Sequence, residues 1–418
     1  MHWDPSYLEK DGGCRRGLPG GSSKVPRALG EYSCDSPWAL IESAVDAMNT
    51  IQGDIEFILW SGDSISDSVK QEEKFDAMNN LTELLKRTFN SQFVFPVLGH
   101  TDPPDIVKLG QLWKNWLPTE ALLSFTKGGY YMIEMKSKKL KVIALNTNLW
   151  TSDNEVDKDP GGQWAWLEQL LAKSLRKDET VYLVGHVSPG YDERQGAPPR
   201  MGLAKIHNER YHEMVQKYSE VITGQFFGHL HSDTFRLVYN EHGEPISSIF
   251  LTPSITPKRT TSGANNPAIR LYTFDTDDGE IVNYMQYYMD LPKSNEANEA
   301  IWTLEYNFTR YYGLNAVSPD ELHQLVQTFT SPEGMQLFGR YWMANSVRSY
   351  KLPTNTAWTN AHFCAITQLE YNQYQNCLST RASALAASKM EPTESTSGVG
   401  RTFATCLLAI GYMLSVLR

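Results

Sequence analysis

Apolar runs rich in β-branched and aromatic residues recur along the N-terminal part of the chain, and each stops at glycine or a polar cluster. DIEFILWSGD (54–63) stops at Asp63, and FVFPVLGHTD (93–102) at His100 and Asp102. KVIALNTNLW (141–150) runs into Asn146 and Asn148, TVYLVGHVSPG (180–190) into His186, and VITGQFFGHLHSD (221–233) into His229 and His231. Short apolar runs bounded in this way predict strands. Between some of them lie stretches with helical spacing, KFDAMNNLTELLKRTF (74–89) and WAWLEQLLAKSL (164–175). Strand–helix alternation with polar residues at strand ends predicts an α/β layered fold whose site lies at the carboxyl edge of its strands.

From about residue 290 the texture changes. SPDELHQLVQTFTS (318–331) and GMQLFGRYWMANSVRSY (334–350) read as helices. The expected organisation is a main domain over 1–290, a helical subdomain over 291–380, a flexible stalk over 381–402 and an apolar tail over 403–418. The stalk is rich in alanine, serine, threonine and proline. FATCLLAIGYMLSVL (403–417) is short for a membrane span, and the polar, small-residue KMEPTESTSGVGR precedes it. That order is the pattern of a lipid-anchor attachment signal, with a buried terminal helix as the alternative. An anchor requires the secretory pathway, so an extracellular location, secreted or surface-anchored, is expected, and with it a leader upstream of Met1. Sequons at Asn80 and Asn307 are compatible with glycosylation.

Composition narrows the class. With 41 % hydrophobic and 21 % charged residues the chain can bury a full core. A formal charge of −10 argues against nucleic-acid binding. Phosphate chemistry stays open to an acidic protein, because a bound metal inverts the local field. Five cysteines group as one pair near the start (Cys14, Cys34), one pair late (Cys364, Cys377) and Cys406 in the apolar tail. Two disulfides and one cysteine removed by processing suit a secreted chain.

Four of the ten histidines (His100, His186, His229, His231) fall at strand ends, near Asp63 and the glycines Gly62, Gly99, Gly185 and Gly228. One such histidine is usually structural. Several together with a carboxylate suit zinc, iron or manganese. Two such ions about 3.5–4 Å apart can share a hydroxide and neutralise a phosphoryl group. Neither a serine elbow, a phosphate-cradling glycine loop nor a dinucleotide fingerprint is present. Metal-assisted hydrolysis of phosphoesters is therefore the favoured chemistry. His207, His212, His242, His323 and His362 receive no role, and Trp113 and Trp116 read as core or pocket wall.

The ordered set MHWDP, SGDSISD, LGHTD, VGHVSPGY and GQFFGHLHSD resembles the calcineurin-like metallophosphoesterases, and more closely the acid sphingomyelinase-like phosphodiesterases. CDSPWALI (34–41), LNTNLWTS (145–152), TPSITPKRTTSGANNPAIR (252–270) and NCL (376–378) extend the likeness over about residues 1–380. The resemblance implies a four-layer β-sandwich flanked by helices, a small C-terminal helical subdomain and two Zn2+ ions, of which one or two are expected here. It makes Asp63 the bridging carboxylate, His186 and His229 ligands of one metal, and His231 a ligand of the other. His2 matches the histidine of an Asp-x-His motif whose aspartate would fall one residue ahead of Met1. His100 stands where the family has a metal-binding asparagine. It either ligates in its place or assists at the leaving group, but not both. Thr101 stands where the family has its catalytic histidine and cannot serve as an acid, and Asp67 replaces a histidine that faces the phosphate. The implied activity is that of a phosphoric diester hydrolase acting on nucleotides or phospholipid head groups. The alternative is a member with weak or absent catalysis, serving as a surface-anchored binding or membrane-modulating protein. The expected partners are a phosphodiester small molecule or lipid head group and, through the anchor, a membrane surface. A monomer is expected.

Overall fold

The computed structural model describes residues 1–9, 14–15, 18, 25–135, 139–151, 156–194, 201–259, 263–331, 333–349 and 356–388. Strands β1 (Phe57–Trp60) and β2 (Phe93–Pro96) pair in parallel. Six strands form a mixed sheet in the order β3-β4-β5-β6-β8-β7. They are β3 (Tyr131–Met135), β4 (Leu140–Ala144), β5 (Thr180–Val184), β6 (Ile222–Phe227), β7 (Thr234–Tyr239) and β8 (Pro245–Leu251). A third sheet orders β11 (Trp302–Asn307), β10 (Ile281–Met289) and β9 (Ala268–Phe274). Within the large sheet β4, β5, β6 and β8 run parallel, so the carboxyl ends of β4, β5 and β6 open on one edge.

The strands of the large sheet show why their sequences do not alternate. Every residue of β4 is buried, because both faces of the sheet are covered. Val142, Tyr182, Val184 and Phe226 point into one core, shared with β9 and β10. Ile143, Val181, Leu183 and Phe227 point into the other, beneath helix Gln163–Lys177. That helix presents Trp164, Leu167 and Leu171 as one apolar stripe, and Trp164 stacks on Trp150 at 3.9 Å. Helix Lys74–Thr88 likewise buries Ala77, Met78, Leu81, Leu84 and Leu85. Trp113 is buried and donates its indole N–H to Thr82 Oγ1 at 3.1 Å, a core position as expected.

The C-terminal part departs from a purely helical reading. β11 lies beyond residue 290 yet pairs antiparallel with β10, so the third sheet crosses the expected domain boundary. Helices Pro319–Thr328, Met335–Asn345, Thr356–Thr367 and Tyr371–Ser388 follow. The last two are joined by the Cys364–Cys377 disulfide, and a second disulfide links Cys14 to Cys34. Helix Tyr371–Ser388 runs into the segment expected as a flexible stalk, because RASALAAS is rich in alanine, the strongest helix former. The rest of the stalk and the apolar tail lie outside the described residues. No helix among the described residues is long and apolar enough to cross a membrane.

A buried polar network fastens this part to the large sheet. Arg236 on β7 donates to Glu193 Oε2 at 2.6 Å, and neither side chain is accessible. Asn345 donates to Glu193 Oε1 at 3.0 Å and to the Asp233 carbonyl at 3.1 Å. Burial pushes the Glu193 carboxyl up, but Arg236 overrides it and holds the group at about 2.

Candidate metal centre

Asp63 follows β1, His100 follows β2, His186 follows β5, and His229 and His231 follow β6. The carboxyl ends of two parallel strand sets therefore deliver all five to one edge. The loops after β1 and β2 pack backbone against backbone. A Cβ at Gly99 would lie 2.1 Å from the Asp63 nitrogen, and one at Gly62 would lie 2.6 Å from the Gly99 nitrogen. Only glycine permits that approach. Asp102 clamps the two loops, accepting from the N–H of Asp63 (3.1 Å), Ser64 (2.7 Å) and Gly99 (2.8 Å). His2, Asp63, His229 and His231 all take positive φ, between 50° and 64°. Such backbone costs L-residues energy and clusters at functional sites.

Asp63 is the hub. His186 Nε2 lies 2.9 Å, His100 Nδ1 3.0 Å and His2 Nε2 3.4 Å from its Oδ2. One ligand atom each from Asp63, His100, His186 and His229 falls within 4.8 Å of the others. His231 Nε2 and His2 Nε2 are 3.1 Å apart on the other side of the cluster. Asp63 Oδ2, His186 Nε2 and His229 Nδ1 are buried and, beyond the imidazole–carboxylate approaches just given, meet no hydrogen-bond partner among the described residues. Orphaned buried acceptors are costly unless something electropositive satisfies them, so the donor set fits a divalent cation.

The outer contacts aim the rings. His186 Nδ1 meets the Ser61 carbonyl at 2.7 Å and His231 Nδ1 meets the Lys258 carbonyl at 3.0 Å. With those nitrogens as donors, each Nε2 lone pair faces the cluster. Burial, with His186 nearby, pulls His229 down to about 3, and burial beside His2 pulls His231 well below the usual histidine range. Both rings are therefore neutral, the form that binds metal. Burial pushes Asp63 up, but His186 and the other imidazoles overrule it and hold the carboxyl well below its usual range. Burial also opposes protonation of His100, yet Asp63 and then Asp67 and Asp102 raise it.

Two expected residues behave differently from the rest. Thr101 is fully buried, and both its N–H (3.0 Å) and its hydroxyl (3.1 Å) bond Asp63 Oδ1. It positions the hub carboxylate and is closed off from solvent. Asp67 is exposed and acts on the cluster through its charge on His100. His100 is the exposed member, with 45 % of its side chain accessible.

Sequence reasoning gave no role to Asp35, Lys258 or Asn265. Asp35 accepts from Ser66 Oγ (2.7 Å) and Lys258 Nζ (3.1 Å), and its Oδ1 is 3.9 Å from His2 Nδ1. Asn265 donates to the His231 carbonyl. The polar stretch TPKRTTSGANNP between two strands was the available signal. His207 and His362 are buried against Trp164 and Tyr341, which fits structural roles.

A family model described as the acid sphingomyelin phosphodiesterase C-terminal region matches residues 244–384. The chain is 34 % identical over 405 residues to human acid sphingomyelinase-like phosphodiesterase 3b, covering 90 % of this chain and 88 % of that protein. It is 32 % identical over 403 residues to human cyclic GMP-AMP phosphodiesterase SMPDL3A, with coverage of 90 % and 88 %. Bovine sphingomyelin phosphodiesterase is 29 % identical over 384 residues, covering 82 % of this chain and 58 % of that protein.

Proposed function

Because this chain belongs to the acid sphingomyelinase-like phosphodiesterase family, we propose that it hydrolyses phosphodiesters, nucleotides or phospholipid head groups, at a zinc centre. Asp63, His100, His186 and His229 would hold one ion, and His2, Asp63 and His231 would flank a second. The observation that carries the reading is the convergence of three imidazoles, His186, His100 and His2, within 3.4 Å of one buried carboxylate oxygen, Asp63 Oδ2. A divalent ion there supplies Lewis-acid stabilisation of phosphoryl charge and a hydroxide at neutral pH. The chain's own residues do the rest. Ser61 and Lys258 carbonyls fix the tautomers of His186 and His231, and Thr101 fixes Asp63. His100, at the mouth, ligates in place of the family's asparagine.

A second reading rests on Thr101 and Asp67. The Thr101 hydroxyl is spent on Asp63 and cannot protonate a leaving group, and the exposed Asp67 carboxylate repels an incoming phosphate. Loss of general acid help costs about 10²–10⁴-fold in rate. On that reading the protein binds at a membrane surface, anchored through residues 403–418, and turns over slowly if at all.

The test uses protein made through the secretory pathway. Metal content is measured by mass spectrometry. Hydrolysis is measured on a bis-aryl phosphate, a cyclic dinucleotide and sphingomyelin, with His229→Ala beside the wild type. Bound zinc and hydrolysis that disappears in His229→Ala support the hydrolase. Well-folded protein without metal, and with no turnover above the variant, refutes it.

A further inference from the structure

The two histidines that follow β6 are fastened to different parts of the molecule. On the His229 side the contacts come from the large sheet and the loop after β1. The Gly228 N–H donates to the His186 carbonyl at 3.1 Å. His186 in turn meets the Ser61 carbonyl at 2.7 Å through its ring and Thr147 Oγ1 at 3.3 Å through its N–H. On the His231 side the contacts come from beyond residue 257. The Lys258 carbonyl meets Nδ1 at 3.0 Å, and Asn265 donates to the His231 carbonyl. Both histidines have left-handed backbone, at φ 64° and 55°, a conformation that the surrounding structure must enforce.

Asp233, two residues on, is the strongest of these fastenings. Its Oδ1 accepts from Arg270 Nη2 at 2.5 Å, and its Oδ2 accepts from Gln286 Nε2 at 2.9 Å and from the Tyr306 hydroxyl. Asn345 takes its backbone: the Asp233 N–H donates to the Asn345 carbonyl at 3.2 Å, and the Asn345 amide donates to the Asp233 carbonyl at 3.1 Å. Asp233, Gln286 and Tyr306 are buried, and so is the Arg270 side chain.

The three side-chain donors come one from each strand of the third sheet. Arg270 on β9 lies opposite Gln286 on β10, and Gln286 lies opposite Tyr306 on β11. They form a single cross-strand row on one face. A slip of one residue in either pairing turns a member of the row to the other face. Gln286 Oε1 accepts from Arg270 Nε at 3.0 Å and Nη2 at 2.7 Å, so its amide nitrogen is the end left for Asp233.

We propose that Asp233 is a positioning residue for the metal centre, through which the row Arg270–Gln286–Tyr306 sets where His231 stands relative to His229. Metal binding at His231 then depends on the third sheet, while binding at Asp63, His186 and His229 does not. The proposal rests on the metal-centre reading given above and needs no turnover to be tested.

The test uses the full chain made through the secretory pathway with 15N-labelled histidine. Zinc, buffered by a chelator, is titrated while the ring nitrogens are followed by NMR, with single His→Gln variants giving the assignments. Wild type is compared with Tyr306→Phe, Asp233→Asn and Tyr284→Phe, and circular dichroism verifies folding. Tyr306→Phe removes only the hydroxyl, so it serves should Asp233→Asn fail to fold. Tyr284→Phe is the control, because its hydroxyl lies 3.3 Å from that of Tyr306 in the same buried cluster. In Tyr306→Phe and Asp233→Asn the His231 response should need about 10–100-fold more free zinc, the usual cost of removing a contact that orients a ligand. The responses of His186 and His229 should stay within about threefold, and Tyr284→Phe should leave all three in place. Equal weakening at all three histidines, or the same loss in Tyr284→Phe, overturns the proposal in favour of general loosening. An unmoved His231 response in Tyr306→Phe overturns it as well, as does a wild-type His231 that ignores zinc while His186 and His229 respond. Absence of any zinc response at all three refutes the metal centre itself, and the proposal falls with it.

Discussion

Replacing Thr101 by valine removes one hydroxyl from a fully buried side chain and keeps its branched shape. Asp63 Oδ1 then retains the Thr101 N–H at 3.0 Å but loses the hydroxyl donor at 3.1 Å. Asp63 is 2 % exposed, so water does not replace the lost donor. A hydrogen bond to a charged group contributes about 1.5–3 kcal/mol. At about 1.4 kcal/mol per tenfold, the expected loss is about ten- to 150-fold in metal affinity. That agrees with the roughly 10–100-fold cost of removing contacts that orient a metal ligand. The assay is a competition titration of zinc against a chelator of known affinity, with circular dichroism to verify folding. Thr101→Ser, which keeps the donor, should bind within a few-fold of wild type. Wild-type affinity in Thr101→Val would refute the idea that the hydroxyl positions Asp63. An equal loss in Thr101→Ser, which keeps the hydroxyl, would assign the effect to packing at this buried position instead of to the donor.

Two further outcomes follow from the backbone and the buried pair. His229→Gly should abolish zinc binding while the metal-free protein melts at the same temperature or higher. His229 sits at φ 64°, where a non-glycine residue costs about 1–2 kcal/mol, and a clear drop in the calorimetric midpoint would contradict this. Arg236→Met should cost about 3–5 kcal/mol at pH 7, because it strands the Glu193 carboxylate. Glu193 is held at about 2 against an ordinary 4.5, so its contribution of about 3 kcal/mol is fully present above pH 4.5. It is lost as the pH falls through about 2. Urea midpoints between pH 7 and 2.5 should fall in the wild type, and Arg236→Met should lose that acid dependence or reverse it. Parallel curves for the two proteins would sink the assignment.

Much of this protein was legible along the chain. Buried strands reveal themselves as unbroken apolar runs, and helix Gln163–Lys177 as a stripe of Trp164, Leu167 and Leu171, because burial imposes local periodicity. The strand-end positions of Asp63, His100, His186, His229 and His231 follow from the same runs. The glycines beside them mark where backbones must touch, as Gly62 and Gly99 do. The two cysteine pairs were equally visible by their grouping.

What the chain order could not carry are contacts between residues far apart in sequence. That Thr101 turns inward to Asp63 depends on how two loops 38 positions apart meet. The Lys258 carbonyl that aims His231 is 27 positions away, and the Asp35 carboxylate beside Lys258 is 223 positions away. β11 reads as part of a helical region until β10 supplies its partner, since a lone strand has no hydrogen bonds of its own. The cavity lined by β1 and β9 forms where two strands with no other partner on that side among the described residues come together across apolar walls. Local pattern decides which residues form strands and where their polar ends lie. Only the packed structure decides which of those ends meet, and what each buried polar atom finds when it arrives.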